Sequence, residues 1–273
     1  MTLFQAFILG VVQGLTEFLP ISSSGHLVLV PFLFGWELNP EKVFPFDTLV
    51  QMGTLVAVTI YFWNDLASIA KAVFKALGER KPFSTQQARL GWLLVVATIP
   101  AGVAGLLLED VIEAAFQSVR ATAIFLFLTA ALLLIAEQLG KRKREMQNLT
   151  WKDALWIGFA QVLALFPGVS RSGSTIAGGM TRDLKRGDAA RFSFLMSLPI
   201  MLAAGGYSVY KLLKMPGLND FLPVMAIGFI TAGVVGYFSI RWLLGYLQEH
   251  SFKGFAIYCA AVAVIILILS YVL

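Results

Sequence analysis

An all-α polytopic membrane protein, with six transmembrane helices plus two re-entrant helical hairpins in an inverted-topology repeat, is the fold the sequence predicts. Three observations carry it: an apolar composition, apolar stretches of bilayer length, and two polar breaks that echo one another. Of 273 residues, 58% are hydrophobic and 14% charged, with a mean hydropathy of +0.78. That is more apolar than a soluble core requires, so a bilayer is the expected solvent and residues 1–273 read as a single membrane domain.

Six segments are long and apolar enough to span the membrane: Val43 to Trp63, Ala88 to Leu108, Ala121 to Leu139, Phe192 to Leu213, Phe221 to Leu244 and Gly254 to Leu273. Two further apolar regions are interrupted. Leu3 to Trp36 is broken at Pro20 to His26, and Ala154 to Met180 is broken at Pro167 to Ser174. Each arm beside a break is roughly 10 to 17 residues, short of the hydrocarbon thickness of about 30 Å, so a hairpin that enters and returns on one side is predicted.

The interrupted regions are copies of one another in outline. A shift of 148 positions sets Gly10 on Gly158, Gln13 on Gln161, Phe18 on Phe166, Ser22 on Ser170, Ser24 on Ser172 and Gly25 on Gly173. A second echo, at a shift of 131, matches the segment from Ile99 to Gly105 with that from Ile230 to Gly236. Halves of approximately 1–140 and 150–273 follow. One hairpin plus three spans is an odd number of crossings, so the second half is inverted and the hairpins enter from opposite faces.

Loop charge orients the chain. Segments 64–90, 140–152, 182–191 and 241–253 hold 16 Lys and Arg, against 4 in segments 36–42, 109–120 and 211–220. The positive-inside rule puts the first set in the cytoplasm and both termini, with the first hairpin, on the outer side. The same distribution accounts for the net charge of +5, so nucleic acid is not an expected partner. The single cysteine, Cys259, permits no intrachain disulfide and reads as a packing residue. No basic region opens the chain, and Gln13 and Glu17 interrupt its first apolar run, so the N-terminus reads as retained and not as a cleaved signal.

A charged side chain at membrane depth costs about 2.5–3.5 kcal/mol on insertion scales, so Glu17, His26 and Arg171 need partners or a wet cavity. Gln13 and Glu17 share a helix face just before Pro20. After it come Ser22, Ser23, Ser24, Gly25 and His26, which offer hydroxyls, free backbone N–H groups and a titratable ring at the start of the next half-helix. Such a terminus favours an anion. Ser170, Ser172, Gly173, Ser174 and Thr175 repeat the device, and Arg171 adds a planar fork suited to phosphate. Two of these tips meeting near mid-membrane would form an oxyanion site. Helix packing alone can explain the Ser and Gly residues one by one, but not the titratable set. Asp47 reads as a helix N-terminal acid that can also reach this cavity, and Glu137 as an interfacial residue snorkelling beside Lys141.

The segment from Gln13 through Glu17, Pro20, Ser22 and Gly25 to His26 resembles the first motif of the bacterial undecaprenyl-diphosphate phosphatases of the BacA/UppP family. Pro167 to Thr175 resembles the second, PGxSRSxxT, and Phe46 to Gly53 resembles the segment after the first hairpin. The resemblance runs end to end. It implies a phosphatase of the bacterial cytoplasmic (inner) membrane, its site facing the periplasm, that removes one phosphate from undecaprenyl diphosphate to recycle the lipid carrier for cell-wall synthesis. It also implies a divalent cation, Mg²⁺ or Ca²⁺.

Carried over by position, the family's acidic pair falls on Gln13 and Glu17 as metal ligands, its nucleophile on Ser23, its histidine on His26 and its diphosphate-binding residues on Ser170, Arg171 and Thr175. Many relatives are similar but have Glu where this chain has Gln13, and an amide supplies a carbonyl oxygen without charge. Glu17 or His26 would activate Ser23 or a water. The partners implied are a polyprenyl diphosphate and membrane lipids, and a homodimer is compatible with the sequence. The rival from another class is a polyprenyl-phosphate flippase or transporter using the same headgroup site, since broken helices meeting at mid-membrane are also a transport architecture.

Overall fold

Apolar runs separated by polar breaks fold as helices in the computed structural model, which describes residues 1–116, 118–212 and 218–272. In chain order the helices are α1 (Leu3–Thr16), α2 (Ser23–Leu33), α3 (Pro40–Tyr61), α4 (Trp63–Gly78), α5 (Gln86–Leu107), α6 (Glu109–Phe116) and α7 (Val119–Leu139). Then come α8 (Trp151–Leu163), α9 (Arg171–Thr181), α10 (Arg186–Leu212), α11 (Leu218–Tyr246) and α12 (Lys253–Val272). Among the described residues there is no strand, only one isolated bridge between Arg144 and Leu184.

Four helices are long and apolar enough to cross a membrane, covering Gln86–Leu107, Val119–Leu139, Phe221–Tyr246 and Lys253–Tyr271. A fifth crossing is available if α3 and α4, bent by 78° between Tyr61 and Trp63, count as one broken span. The multi-pass membrane class is therefore as the sequence predicts. The expected span Phe192 to Leu213 falls on α10, whose described part opens with Arg186, Asp188 and Arg191 and is not among the four. Leu213 itself, and Leu273 at the end of the last expected span, lie outside the described residues. Large apolar side chains such as Val95, Ile99, Ile124, Phe127, Ile230, Val234, Ile265 and Ile268 are exposed on these helices. A lipid-facing surface requires that arrangement.

Two readings of the charged connections change. Residues 64–78, read as loop, form most of α4, because Leu66, Ile69, Val73 and Ala76 recur on one helical face and pack inward while Lys71 and Lys75 face out. Glu137 does not snorkel. It is buried, receiving Arg186 at 2.6 and 2.8 Å, Arg142 at 2.9 Å and the Phe252 backbone N–H at 2.9 Å. The starts of α10 and α12 converge on the last turn of α7, so this carboxylate has protein donors where an interfacial one would have water.

The arms of the two broken regions, 14, 11, 13 and 11 residues long, are roughly 16–21 Å of helix each. Both regions begin with a reciprocal cap. Thr2 accepts from the Gln5 backbone while the Gln5 side chain accepts from Thr2, and Thr150 and Asp153 do the same. Small residues then seat the first arms. A Cβ on Gly10 would collide with Gly228 and Thr231 of α11, and one on Gly158 with Ala97 and Pro100 of α5. Close backbone approach of this kind drives helix association where the surroundings are as apolar as the core.

Candidate active site

Each arm is too short to cross a bilayer alone and ends with unpaired backbone groups, which the local sequence satisfies. On the first tip Glu17 follows α1, the chain reverses through Pro20, and Ser22 caps α2 by accepting from the Gly25 N–H at 3.2 Å. On the second, Gly168 takes φ +95°, and Ser170 caps α9 by accepting from the Gly173 N–H at 3.0 Å. Thr129 of α7 fastens this tip, donating to the Gly168 carbonyl and accepting from the Ser170 N–H, both at 2.9 Å.

The tips meet. A Cβ on Gly25 would lie 3.3 Å from the Gly168 Cα, and Ser172 Oγ donates to the Leu19 carbonyl at 3.0 Å. The third contact between them is ionic: Arg171 Nη2 donates to Glu17 Oε1 at 2.9 Å. The Glu17 side chain is 3% exposed and that of Arg171 15%, so the pair sits away from solvent, where a lone charge of either sign would be costly.

Glu17 organises the site. Ser23 Oγ donates to its Oε2 at 2.6 Å, and Gln13 Nε2 donates to the same oxygen at 3.0 Å and to Thr54 Oγ1 at 3.4 Å. Arg171 is held in turn by the Ser193 carbonyl at 3.2 Å, while Thr175 Oγ1 lies 2.6 Å from Ser193 Oγ and donates to the Arg171 carbonyl at 2.7 Å. A hydroxyl, a carboxylate and a guanidinium thus form one connected chain. It lies on a cavity of about 350 Å³ whose lining includes Glu17, Ser22, Ser23, Ser24, Ser170 and Arg171.

The remaining sequence-predicted residues sit behind that lining. Gln13 orients Glu17, Ser172 ties the tips, Thr175 positions Arg171, and Gly25 and Gly173 supply the capped N–H groups. His26 is turned away: its Nδ1 lies 2.7 Å from the Ser22 carbonyl and its Nε2 2.8 Å from the Tyr258 hydroxyl of α12. Asp47 on α3 is not among the lining residues. Gln51 and Gln161 are. Neither stood out as a site residue in the sequence, although the shift of 148 pairs Gln161 with Gln13.

The divalent cation that the resemblance implies would bear on the same carboxylate. Among the described residues no three His, Cys, Asp or Glu side chains cluster as a self-contained metal cage. One carboxylate beside a phosphate-sized cavity does suit an ion of the Mg²⁺ type, which commonly takes one or two carboxylates and completes its shell with substrate phosphate and water.

The chain is similar to known proteins over nearly its whole length. A family model described as bacitracin resistance protein BacA matches residues 6–265. A relative from Chlorobium phaeobacteroides (strain BS1) is 46% identical over 98% of this chain and 96% of its own. One from Myxococcus xanthus (strain DK1622) is 42% identical over 98% and 89%, and one from Pelodictyon phaeoclathratiforme is 43% identical over 100% and 99%. Each of the three carries the name undecaprenyl-diphosphatase.

Proposed function

The chain belongs to the bacitracin resistance protein BacA family, and from that premise we propose that it hydrolyses undecaprenyl diphosphate to undecaprenyl phosphate and inorganic phosphate in the cavity between the two tips. The observation that carries the site is the linked chain from Ser23 to Glu17 to Arg171, at 2.6 and 2.9 Å. A serine is a weak nucleophile unless a base holds its proton, and Glu17 is already within hydrogen-bond reach. His26, with both ring nitrogens engaged elsewhere, is a positioning residue in this reading, holding the Ser22 carbonyl and Tyr258.

Arg171 and the N–H groups at the starts of α2 and α9 bind the diphosphate oxygens, since phosphoryl transfer is chiefly a matter of positioning and charge stabilisation. Ser23 Oγ attacks the terminal phosphorus as its proton passes to Glu17, and the bond to the bridging oxygen breaks. Undecaprenyl phosphate leaves with that oxygen. Water then attacks the phosphoserine, giving inorganic phosphate and restoring the Ser23 hydroxyl. Glu17, with the Gln13 carbonyl oxygen, would hold Mg²⁺ or Ca²⁺, which when bound adds positive charge against the diphosphate.

The finer architecture belongs to the same proposal: six spans and two re-entrant hairpins in inverted halves of about 1–140 and 150–273, the site opening to the periplasm. Its support is a packing equivalence. Gly10 meets Gly228 and Thr231, while Gly158 meets Ala97 and Pro100; the shifts of 148 and 131 convert one set of contacts into the other. Loop charge supports the orientation. The flippase reading is not favoured, because the relatives carry a hydrolase's name.

The test is phosphate release from undecaprenyl diphosphate by purified protein in detergent. Loss of release in Ser23→Ala, together with labelled phosphate trapped on the wild-type chain and absent from the variant, is the expected result. Release at the wild-type rate by Ser23→Ala would overturn the nucleophile assignment.

A further inference from the structure

The cavity holds a polar side chain that the chemistry above does not use. Gln161, on the last turn of α8, lines it with Glu17, Ser23 and Arg171 and is only 2% exposed. Among the described residues, its Nε2 and Oε1 are the buried side-chain nitrogen and oxygen atoms that have no hydrogen-bond partner. A buried amide left unpaired on both atoms destabilises the fold and calls for a ligand or ordered water. We infer that Gln161 is a headgroup-binding residue, its amide donating to a phosphate oxygen of the diphosphate; the inference rests on the proposed site.

The contrast with Gln13 sharpens this. Gln13 occupies the corresponding place on α1 and spends its Nε2 on Glu17 and Thr54. Four residues beyond Gln161, where the first tip has Glu17, stands Leu165, which also lines the cavity and cannot accept a hydrogen bond. The same amide is therefore consumed internally on one tip and left facing the cavity on the other. Its NH₂ suits an anionic oxygen, and its carbonyl suits a water or a protonated phosphate oxygen. Arg171, the cation of the cavity lining, is partly neutralised by Glu17, so a neutral donor adds affinity without a second charge to bury.

A binding role and a catalytic one separate kinetically. Replacing Gln161 by Met keeps its length, removes both polar atoms and offers the diphosphate nothing. For full-length Gln161→Met in detergent, KM for undecaprenyl diphosphate should rise roughly tenfold to a hundredfold, as for a lost hydrogen bond to a charged group. The inhibition constant for inorganic pyrophosphate should rise in parallel, kcat should stay within about threefold, and the ligand-free melting temperature should not fall, because unpaired polar atoms have been removed. Gln161→Glu should raise KM further by placing like charge against the phosphates.

Unchanged KM and unchanged pyrophosphate inhibition in Gln161→Met would overturn the inference, leaving the amide to water. A fall in melting temperature and kcat with KM unchanged would overturn it too, as a structural role. Arg171→Ala is the control. If it abolishes pyrophosphate inhibition while Gln161→Met does not alter it, this inference alone fails; if Arg171→Ala binds pyrophosphate like wild type, the site assignment itself fails.

Discussion

The two tips are built alike and armed differently. Each has a serine cap, a second serine two residues on and a glycine three residues on whose N–H the cap receives. At the shift of 148, however, Glu17 stands against Leu165, Ser23 against Arg171, His26 against Ser174 and Pro20 against Gly168. The shared residues satisfy the backbone at the ends of half-helices. In the proposed reaction the unshared ones supply base, nucleophile and cation, each once. Repetition therefore provides the geometry of an anion site, and its violation at a few positions provides a direction of attack across it.

The sharpest way to break the comparison is to restore the likeness. Arg171→Ser gives the second tip the first tip's residue, leaves the buried Glu17 without its cation and removes the charge that binds phosphate. Phosphate release should fall by about 10³-fold or more. Glu17→Leu gives the first tip the second's residue; it removes the base and strands Arg171, with a similar fall in release and a stability loss of roughly 3–5 kcal/mol. Either variant retaining a tenth of wild-type release would mean that the Glu17–Arg171 pair is scaffold and not chemistry.

Much of this was legible in the residues. Both breaks, the serines that follow them and the need of Glu17, His26 and Arg171 for partners follow from the cost of polar groups at membrane depth and from the repeat, which are local or periodic signals. Which way a side chain turns is not such a signal. His26 lies one helical turn past Ser22, yet the Tyr258 hydroxyl, 232 positions away, accounts for its ring orientation. Glu137 looked interfacial because its three donors come from Arg142, Arg186 and Phe252, which only the fold assembles. Gln161 was visible as a copy of Gln13 but not as unpaired, because lacking a partner is a property of everything around it.

The backbone of the tips offers a second contrast, at Gly168. With φ +95°, a Cβ there would meet the Thr122 carbonyl and the Phe125 side chain, so both conformation and space require glycine. Gly168→Ala should destabilise the protein by about 3 kcal/mol or more, measured by denaturant unfolding in detergent, and reduce release by displacing Arg171. A loss under about 1 kcal/mol would show that the second tip adapts.

A third contrast separates the tips from the charged connection behind them. Burial pushes the Asp153 carboxyl up, but hydrogen bonds from Arg144 at 2.7 Å and Arg182 at 2.6 Å, with those from Thr150, outweigh it and hold the group well below the usual carboxylate range. A depressed folded value stabilises above the ordinary aspartate pKa near 4, and that contribution is lost as pH falls through and below it. Between pH 6 and pH 3 the wild type should lose about 1–2 kcal/mol more than Asp153→Asn, the figure allowing for partly exposed arginines. Parallel pH profiles would dismiss the clamp.

The smallest effect tests where the first tip keeps its strain. Ser22 has φ +72°, whereas Ser170, its counterpart, has φ −70°, so the left-handed residue falls two positions earlier on the second tip and is a glycine there. Ser22 endures a conformation costing roughly 1–2 kcal/mol because its Oγ caps Gly25 and its carbonyl receives the His26 N–H at 3.2 Å. Ser22→Ala loses the cap and keeps the strain, and should cost about 1–2 kcal/mol. Ser22→Gly loses the same cap but relieves the strain, and should stay within about 0.5 kcal/mol of wild type, part of the relief being offset by the freer unfolded chain. The difference between the two variants isolates the backbone term from the hydroxyl. Should Ala prove as stable as Gly, the positive φ carries no cost and the serine is there for its hydroxyl alone.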